Sequence, residues 1–564
     1  MYKRIIGIIL ASIMILAMIA ACDSGGSGGD TTPDTQTPAN TPSTSGGTET
    51  TTDDDDDDDA GDSWFNGYPM DVPGFSMSIY AANSFGMHAS LATWEDSPFL
   101  TGLNEHVGLD IEWLHPPAGA GDEQTELQMM IVSGNLPDVI VTHQIMPDAD
   151  RLIEEGVFQD LAPYIQQWAP NYYAVLQADP VRHAAMKTDA GRYHGFGFFR
   201  EAGGWNDSFQ GPLVREDWLE ALNLPVPKTI SDWDNTLRAF KDEYNATLIT
   251  HWNRFQTAGF VAGAFGAYAS TAYRLYLDPR TDTIELAQVQ PEWKDYIEHM
   301  NMWWSEGLIN QDLMTLDDVA VRGMMLNDES GLSFSAMSQI TNWTLDAIEH
   351  DTGARWIGIP TPTADDGSIS MVFGGPGITG YTAGITNSVG EDRMEVVMRM
   401  LDYAYSPEGN LYWNFGTEGV SWNMVNGVPT FSDLLYDDPN GISEAMQWWS
   451  GTVWGGPAIQ ATAIIVTRNL PVAVEANDTW FYSFPELAQK FTLPRGMSLN
   501  AAEASRAGEL EGAIQTYVTE MAASYLIGNE STSNFDDFVE NVERMGLQEL
   551  LSLYQAAYER FRSR

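Results

Sequence analysis

Apolar positions downstream of residue 64 recur in two alternating rhythms. FSMSIYAA (75–82) and GLDIEWL (108–114) predict strands, with a helical stretch near 94–106 between them. EQTELQMMIVSG (123–134) puts Leu127, Met130 and Ile131 on one helical face and stops at Gly134 and Pro137. LPDVIVT follows, β-branched and apolar enough for a buried strand. This β-α-β-α-β order predicts a parallel sheet with helices on both faces. Ligands of such sheets sit beyond the carboxyl ends of the strands, which makes Thr142, His143 and Gln144 cleft candidates.

The alternation continues. GRYHGFGFF (191–199) predicts a strand, a loop carries Gly203, Gly204 and Trp205, and GPLVREDWL (211–219) predicts a strand running into a helix. WDNTLRAF aligns Trp233, Leu237 and Phe240 on one helical face, and MEVVMRMLDYAYSPEG does so with Val397, Met400, Leu401 and Ala404 before Pro407 and Gly409. FDDFVENVERMGLQELLSLYQAAYERF predicts two helices split around Gly546, and no internal repeat is visible.

The first 63 residues follow neither rhythm. Lys3 and Arg4 precede an apolar run over 5–19, and Ala20 and Ala21 lead directly into Cys22. This is the layout of a cleavable export signal over 1–21, shorter than the ~20 apolar residues of a membrane span. The pattern around Cys22 resembles a bacterial lipobox, which implies a lipidated cysteine at the start of the mature chain. Cys22 is the only cysteine in 564 residues, so no disulfide forms within one chain. Residues 23–63 hold Gly, Ser, Thr, Pro and Asp, no basic residue, and seven consecutive aspartates at 53–59. Such a segment buries too little apolar surface to offset its ordering entropy, and 22–63 is expected to be an anchored, disordered tether.

The net charge of −52 becomes −42 once the two cations of the leader and the twelve carboxylates of the tether are set aside. A surface of that sign repels nucleic acid and anionic lipid. Nine histidines show no metal-binding spacing, and neither a nucleophile elbow nor a phosphate loop with lysine is present. A glycosidase needs only two carboxylates across a cleft, which 79 acidic residues leave open.

ELQMMIVSGNLPDVI, GVFQDLAPYIQQWAPN, MKTDAGRYHGF, LVREDWLEALNLPVPKTISDWDNTLRAFK, WWSEGLINQDL, MLDYAYSPEGNLYWNFGTEGVSW and GLQELLSLYQAAYERF stand in this order over 70–564. The ordered set resembles bacterial extracellular solute-binding protein family 1, the group with the LplA-like lipoproteins of ABC importers, and is similar to alginate-binding proteins. The resemblance implies an α/β, two-lobed periplasmic-binding-protein-like fold of type 2, each lobe a sheet flanked by helices. It places lobe 1 at 64–197 plus 372–493 and lobe 2 at 198–371 plus 494–564, with hinge crossings near 195–199, 373–377 and 491–494. Glycines in FGGPGITG suit a hinge because they absorb backbone rotation, although an ordinary loop reads the same way. Many relatives carry a calcium loop after the segment matching LRAFK. Here Asp242, Glu243 and Asn245 stand without its oxygen-rich run, so no metal or cofactor is expected.

By the same resemblance the chain is a non-enzymatic, monomeric lipoprotein on the extracytoplasmic face of the cell membrane. It would capture an oligosaccharide and deliver it to the permease of an ABC importer. Sugar clefts combine aromatic faces for ring stacking with polar side chains for hydroxyls. Trp94, Trp205, Trp252, Trp422 and Trp454 are aromatic candidates, each equally readable as packing. The resemblance puts Trp205 and Trp422 near the cleft, with Arg215 and Glu418 as polar contacts that could equally be structural ion pairs. A peptide or other small solute, or service to a membrane sensor kinase, is the alternative use of the same fold.

Overall fold

The structure, a computed structural model, describes residues 65–81, 96–116, 123–201, 203, 205–257, 261–372, 377–439, 441–453, 455–484, 487 and 491–564. Cys22, the aspartate run, Trp94, Trp454 and the crossing at 373–376 lie outside them, as does the Trp252 side chain. The chain divides into Met1–Met70 and a body of Asp71–Arg564, and that body holds all the described strands and helices.

Its larger sheet has six strands: β1 (Ser76–Ala81), β2 (Asp110–Leu114), β3 (Val139–Thr142), β4 (Phe196–Arg200), β10 (Ile378–Ile385) and β13 (Ala458–Gln460), in the order β13-β4-β10-β3-β1-β2. β1 pairs parallel with both β2 and β3, and β4 pairs parallel with β13. β10 alone runs antiparallel, between β3 and β4. Helices Pro98–Val107 and Glu123–Ser133 join β1 to β2 to β3, as the periodicity predicts. The central strands β3 and β4 are buried almost throughout because both faces are covered, whereas the edge strand β2 alternates exposed and buried residues. Ile79, Trp113 and Val141 meet Phe99 and Leu100 on one face. Tyr80 and Ile140 meet Leu127, Leu152 and Phe158 on the other.

The second sheet has three strands, β5 (Gln210–Arg215) between β8 (Leu332–Ala336) and β9 (Trp356–Gly358), all antiparallel. Two separate hairpins pair β6 (Leu275–Asp278) with β7 (Thr283–Leu286) and β11 (Trp422–Val425) with β12 (Val428–Phe431). Helix Ile230–Tyr244 packs in the core beside the second sheet through Trp233, Leu237 and Phe240, opened by a reciprocal cap between Thr229 and Asp232 and ended by Asn245 at φ 54°. The same core takes in helix Pro291–Ser305 and the C-terminal helices Ala501–Ile527, Phe535–Arg544 and Leu547–Arg562.

Two expected boundaries shift. The strand at 191–199 begins only at Phe196, its first residues instead forming a bridge between Lys187 and Tyr193. The helix before Pro407 ends at Tyr403. Pro407 then opens a new helix, Pro407–Phe415, capped by Ser406, so Gly409 lies inside a helix. After β13 the chain leaves the six-stranded sheet, and helix Pro471–Ser483 lies on β9, β5 and helix Met337–Glu349. Two glycines allow that approach: a Cβ at Gly358 would sit 2.4 Å from the Ala476 Cβ, and one at Gly211 would sit 2.4 Å from the Trp480 ring. Gly358→Ala is therefore expected to cost about 1–3 kcal/mol in urea unfolding.

His194, 1 % exposed, approaches the Ala185 carbonyl through Nε2 at 3.2 Å, and its buried Nδ1 has no partner. A second proton would have no acceptor there. Burial, with the Arg564 charge as a smaller contribution, pushes the imidazole from 6.5 down to about 4. The unfolded chain takes up a proton near 6.5 and the folded chain only near 4, so stability is full above pH 6.5 and falls as pH drops through this window. Between about pH 7 and about pH 5 the loss from this group is about 2 kcal/mol. His194→Gln is expected to flatten the midpoint-against-pH curve over that range.

Candidate ligand-binding site

At the carboxyl end of β3 the chain turns sharply: Thr142 is 1 % exposed, and its Oγ1 accepts a hydrogen bond from the Gln144 N–H at 3.2 Å. The next residue, His143, is exposed and meets the Tyr381 ring edge-on, with centroids 5.3 Å apart. Because β10 is antiparallel, its first residues lie at the same edge as the last residues of β3 and β4. The pairing of β10 with β4 slips between Ile378 and Thr382. This irregularity holds Gly380 at φ 94° and re-aims the neighbouring side chains. Thr379 donates through Oγ1 to the Phe198 carbonyl at 2.9 Å, and its own carbonyl accepts from Arg495 Nη1 at 3.2 Å. His143, Met146, Tyr381, Pro494, Arg495 and Met497 line an open cleft of about 520 Å³ at this edge.

The carboxyl end of β4 extends the edge. Arg200 pairs with Asp207 at 2.7 Å and lies 4.9 Å from the Phe209 ring centre. The Arg182 guanidinium donates to the Arg200 carbonyl and stacks on Phe199 at 5.2 Å. Asp207 is 4 % exposed, and burial pushes its carboxyl above the ordinary range despite Arg200. Helix Thr462–Arg468 packs against the turn Trp205–Asp207. Buried atoms without hydrogen-bond partners gather around this turn: Asn206 Oδ1, Asp207 Oδ2, Arg468 Nε and Asn477 Oδ1.

The residues expected from sequence fare unequally. His143 lines the cleft and Thr142 shapes the turn that carries it. Trp205 sits in the turn beside Asp207, half-buried, with its indole N–H donating to Asp478 Oδ1 at 2.7 Å and its carbonyl accepting from Asn477. Trp422 is 4 % exposed, packs near Phe415 and Phe431, and donates its indole N–H to the Gly416 carbonyl at 3.0 Å. A ring enclosed in this way has no face for a ligand, so Trp422 is a core residue. Arg215 is also enclosed: it grips Asp217 with two hydrogen bonds of 2.8 and 2.7 Å, pairs with Asp328, and stacks on Trp218 at 4.4 Å. That is the structural ion pair. Glu418 is exposed beside the hairpin of β11 and β12 and is absent from the cleft lining.

Sequence reasoning missed Tyr381, Arg495, Arg200, Arg182 and Arg468. One signal was present: in a chain with 27 basic and 79 acidic residues, an arginine closing a predicted strand, as in GFGFFR, is uncommon. Among the described residues, no cluster of three or more His, Cys, Asp or Glu side chains could hold a metal ion. Arg200→Ala leaves the Asp207 carboxylate buried without its counter-ion and is expected to cost about 2–4 kcal/mol in chemical denaturation. Adding Asp207→Asn should recover more than half of that loss, since the charge disappears with its partner.

The family model described as bacterial extracellular solute-binding protein matches residues 88–411. The fructooligosaccharide ABC transporter substrate-binding protein FusA of Streptococcus pneumoniae serotype 4 (strain ATCC BAA-334 / TIGR4) is 21% identical over 497 residues, 82% of this chain and 86% of that protein. The polygalacturonan/rhamnogalacturonan-binding protein YtcQ of Bacillus subtilis (strain 168) is 22% identical over 472 residues, 80% and 85% of the two chains. Among solved structures, the alginate-binding protein AlgQ2 without calcium ion superposes with a TM-score of 0.68 at 20% identity, covering 86% of this chain and 98% of that one. At that identity the likeness is one of fold, and the fold is the mixed α/β architecture of periplasmic solute-binding proteins. The family model, however, spans more than half of the sequence, and the chain belongs to the bacterial extracellular solute-binding proteins.

Proposed function

We propose that this protein is the substrate-capturing component of an ABC importer and that it takes an oligosaccharide into the cleft lined by His143, Tyr381 and Arg495. The observation that carries the reading is the cleft itself: about 520 Å³, at the carboxyl edge of a mostly parallel sheet, with aromatic, apolar and cationic groups on its walls. The relatives FusA and YtcQ are named for oligosaccharide and polysaccharide ligands, which supports the choice of sugar. Tyr381 is the ring for stacking, His143 and Arg495 supply hydrogen bonds to hydroxyls, and Trp205 stands beside the Arg200–Asp207 pair as a further aromatic contact.

The lobes in this reading are 64–197 plus 372–493, and 198–371 plus 494–564, with helix Pro471–Ser483 resting on the second lobe's sheet. A ligand that touches both lobes stabilises the closed arrangement, and the permease reads that shape. Cys22 carries the lipid, and 23–63 tethers the body to the extracytoplasmic face of the membrane. The sugar leaves uncleaved, and a separate subunit hydrolyses ATP.

Thermal unfolding of the purified chain against neutral and acidic oligosaccharides, peptides and polyamines tests the reading. An oligosaccharide at about 100 times its Kd is expected to add ~2.7 kcal/mol of stability, and mass spectrometry should return it intact. Tyr381→Ala should lower the affinity at least about ten-fold through lost stacking while leaving the midpoint without sugar nearly unchanged. A shift with peptide or amine alone would overturn the sugar, and a cleaved glycan would overturn the binding-protein reading.

A further inference from the structure

The two walls of the cleft differ in origin. His143, Met146 and Tyr381 belong to the edge of the six-stranded sheet, whereas Leu493 to Met497 come from the segment leading into helix Ala501–Ile527. That second wall is built on a tight turn. The Met497 N–H donates to the Pro494 carbonyl at 3.2 Å, and Gly496 stands at φ 87°, as the third position of a type II turn requires. From this turn Arg495 reaches the Thr379 carbonyl.

Behind the turn lies Arg564, two residues beyond helix Leu547–Arg562, with its side chain only 4 % exposed. Its Nη1 donates to the carbonyls of Gly496 at 2.7 Å, Ala184 at 3.2 Å and Lys187. Its Nη2 donates to Ser498 Oγ at 3.2 Å and to Asp189 Oδ1 at 2.7 Å, which also accepts from Nε at 2.9 Å. No N–H of this guanidinium is left without an acceptor. The acceptors come from two stretches far apart in sequence, 184–189 and 496–498. Arg560 doubles the tie: Nε donates to Asp189 Oδ2 at 2.7 Å, Nη1 to Glu503 Oε1 at 2.8 Å, and Nη2 to the Ser498 carbonyl at 3.3 Å. Arg564, Asp189, Arg560 and Glu503 alternate in sign, so the buried Arg564 charge is compensated where it sits. Gly496 permits the close approach, since a Cβ there would stand 2.4 Å from the Ala185 carbonyl oxygen.

We propose that Arg564, seated on Asp189 and backed by Arg560, is a positioning residue of the cleft: it fastens the turn at 494–497 to residues 184–189 and so sets where Arg495 and Met497 stand relative to Tyr381. The inference rests on the cleft reading above and adds to it residues that do not line the cleft. Loops are the more mobile parts of a fold, and a binding wall built on one needs support from behind. A lysine would not supply it, because a single ammonium does not span acceptors arranged around a planar fork.

Hydrogen–deuterium exchange of the purified full chain, read by mass spectrometry without ligand, tests the fastening whatever solute the cleft takes. Arg564→Gln is expected to speed exchange in peptides spanning 184–193 and 491–500 at least about ten-fold while leaving β1 and β3 unchanged. Gly496→Ala attacks the same junction from the wall side and should speed the same two peptides. Arg564→Lys should resemble Arg564→Gln; full restoration by lysine would reduce the role to charge and overturn the positioning. Gly358→Ala, which disturbs the packing of helix Pro471–Ser483, controls for general destabilisation and should leave both peptides as they are. For the cleft itself, 3-fluorotyrosine at Tyr381 should give a ¹⁹F resonance that moves or broadens in Arg564→Gln and not in Gly358→Ala. Exchange raised equally by Gly358→Ala, raised in neither or only one peptide by Arg564→Gln, or an unmoved Tyr381 resonance would overturn the inference and leave the oligosaccharide reading to its own test. A thermal screen that finds only peptide or amine ligands would instead overturn the sugar and leave the fastened wall standing.

Discussion

One placement governs the rest of the molecule: β10 lies antiparallel between β3 and β4. Parallel strands end on the same edge, and an antiparallel strand inserted among them begins there. His143 follows β3, Arg200 ends β4, and Thr379 to Tyr381 open β10, so residues more than 230 positions apart in sequence become neighbours. The register slip near Gly380 then bends the start of β10, and the Thr379 carbonyl fixes Arg495 across the cleft. Hydrogen bonds of the sheet, which carry no chemical specificity of their own, thereby decide where the specific groups meet.

Packing around this edge is tight where geometry must be held and loose in charge where a ligand could act. Helix Pro471–Ser483 comes close enough to β5 and β9 that Gly211 and Gly358 have no room for a Cβ, and it presents Asn477 and Asp478 to Trp205. The turn Trp205–Asp207 is thus fixed by groups from both sides. Its polar atoms are incompletely paired, which is uncommon in buried protein and concentrates electrostatic potential there. Stability and recognition draw on the same small region, with the apolar cores of the two sheets supplying the rigidity.

Much of this was legible in the residues. The run VIVT is β-branched and apolar enough for a buried strand, and the turn at His143 followed from its carboxyl end. Helix faces through Trp233, Leu237 and Phe240 were equally plain, since their spacing leaves no other surface to bury. Trp422 and Arg215 were not legible: a tryptophan between serine and asparagine reads as a loop residue until Phe415, Phe431 and the Gly416 carbonyl enclose it. Likewise Asp328, 113 residues from Arg215, is what completes that ion pair. Arg182, Arg200 and Arg495 escaped notice because they come from three separate segments that meet only where β4 ends and β10 begins.

A crystal structure of the chain with a bound oligosaccharide tests the central claim most directly, because it reads where the ligand sits without reference to affinity. The account predicts sugar density at the carboxyl edge of the six-stranded sheet, with a ring against Tyr381 and polar contacts from His143 and Arg495. Density seated at the Glu418 hairpin, or anywhere away from that edge, would contradict it.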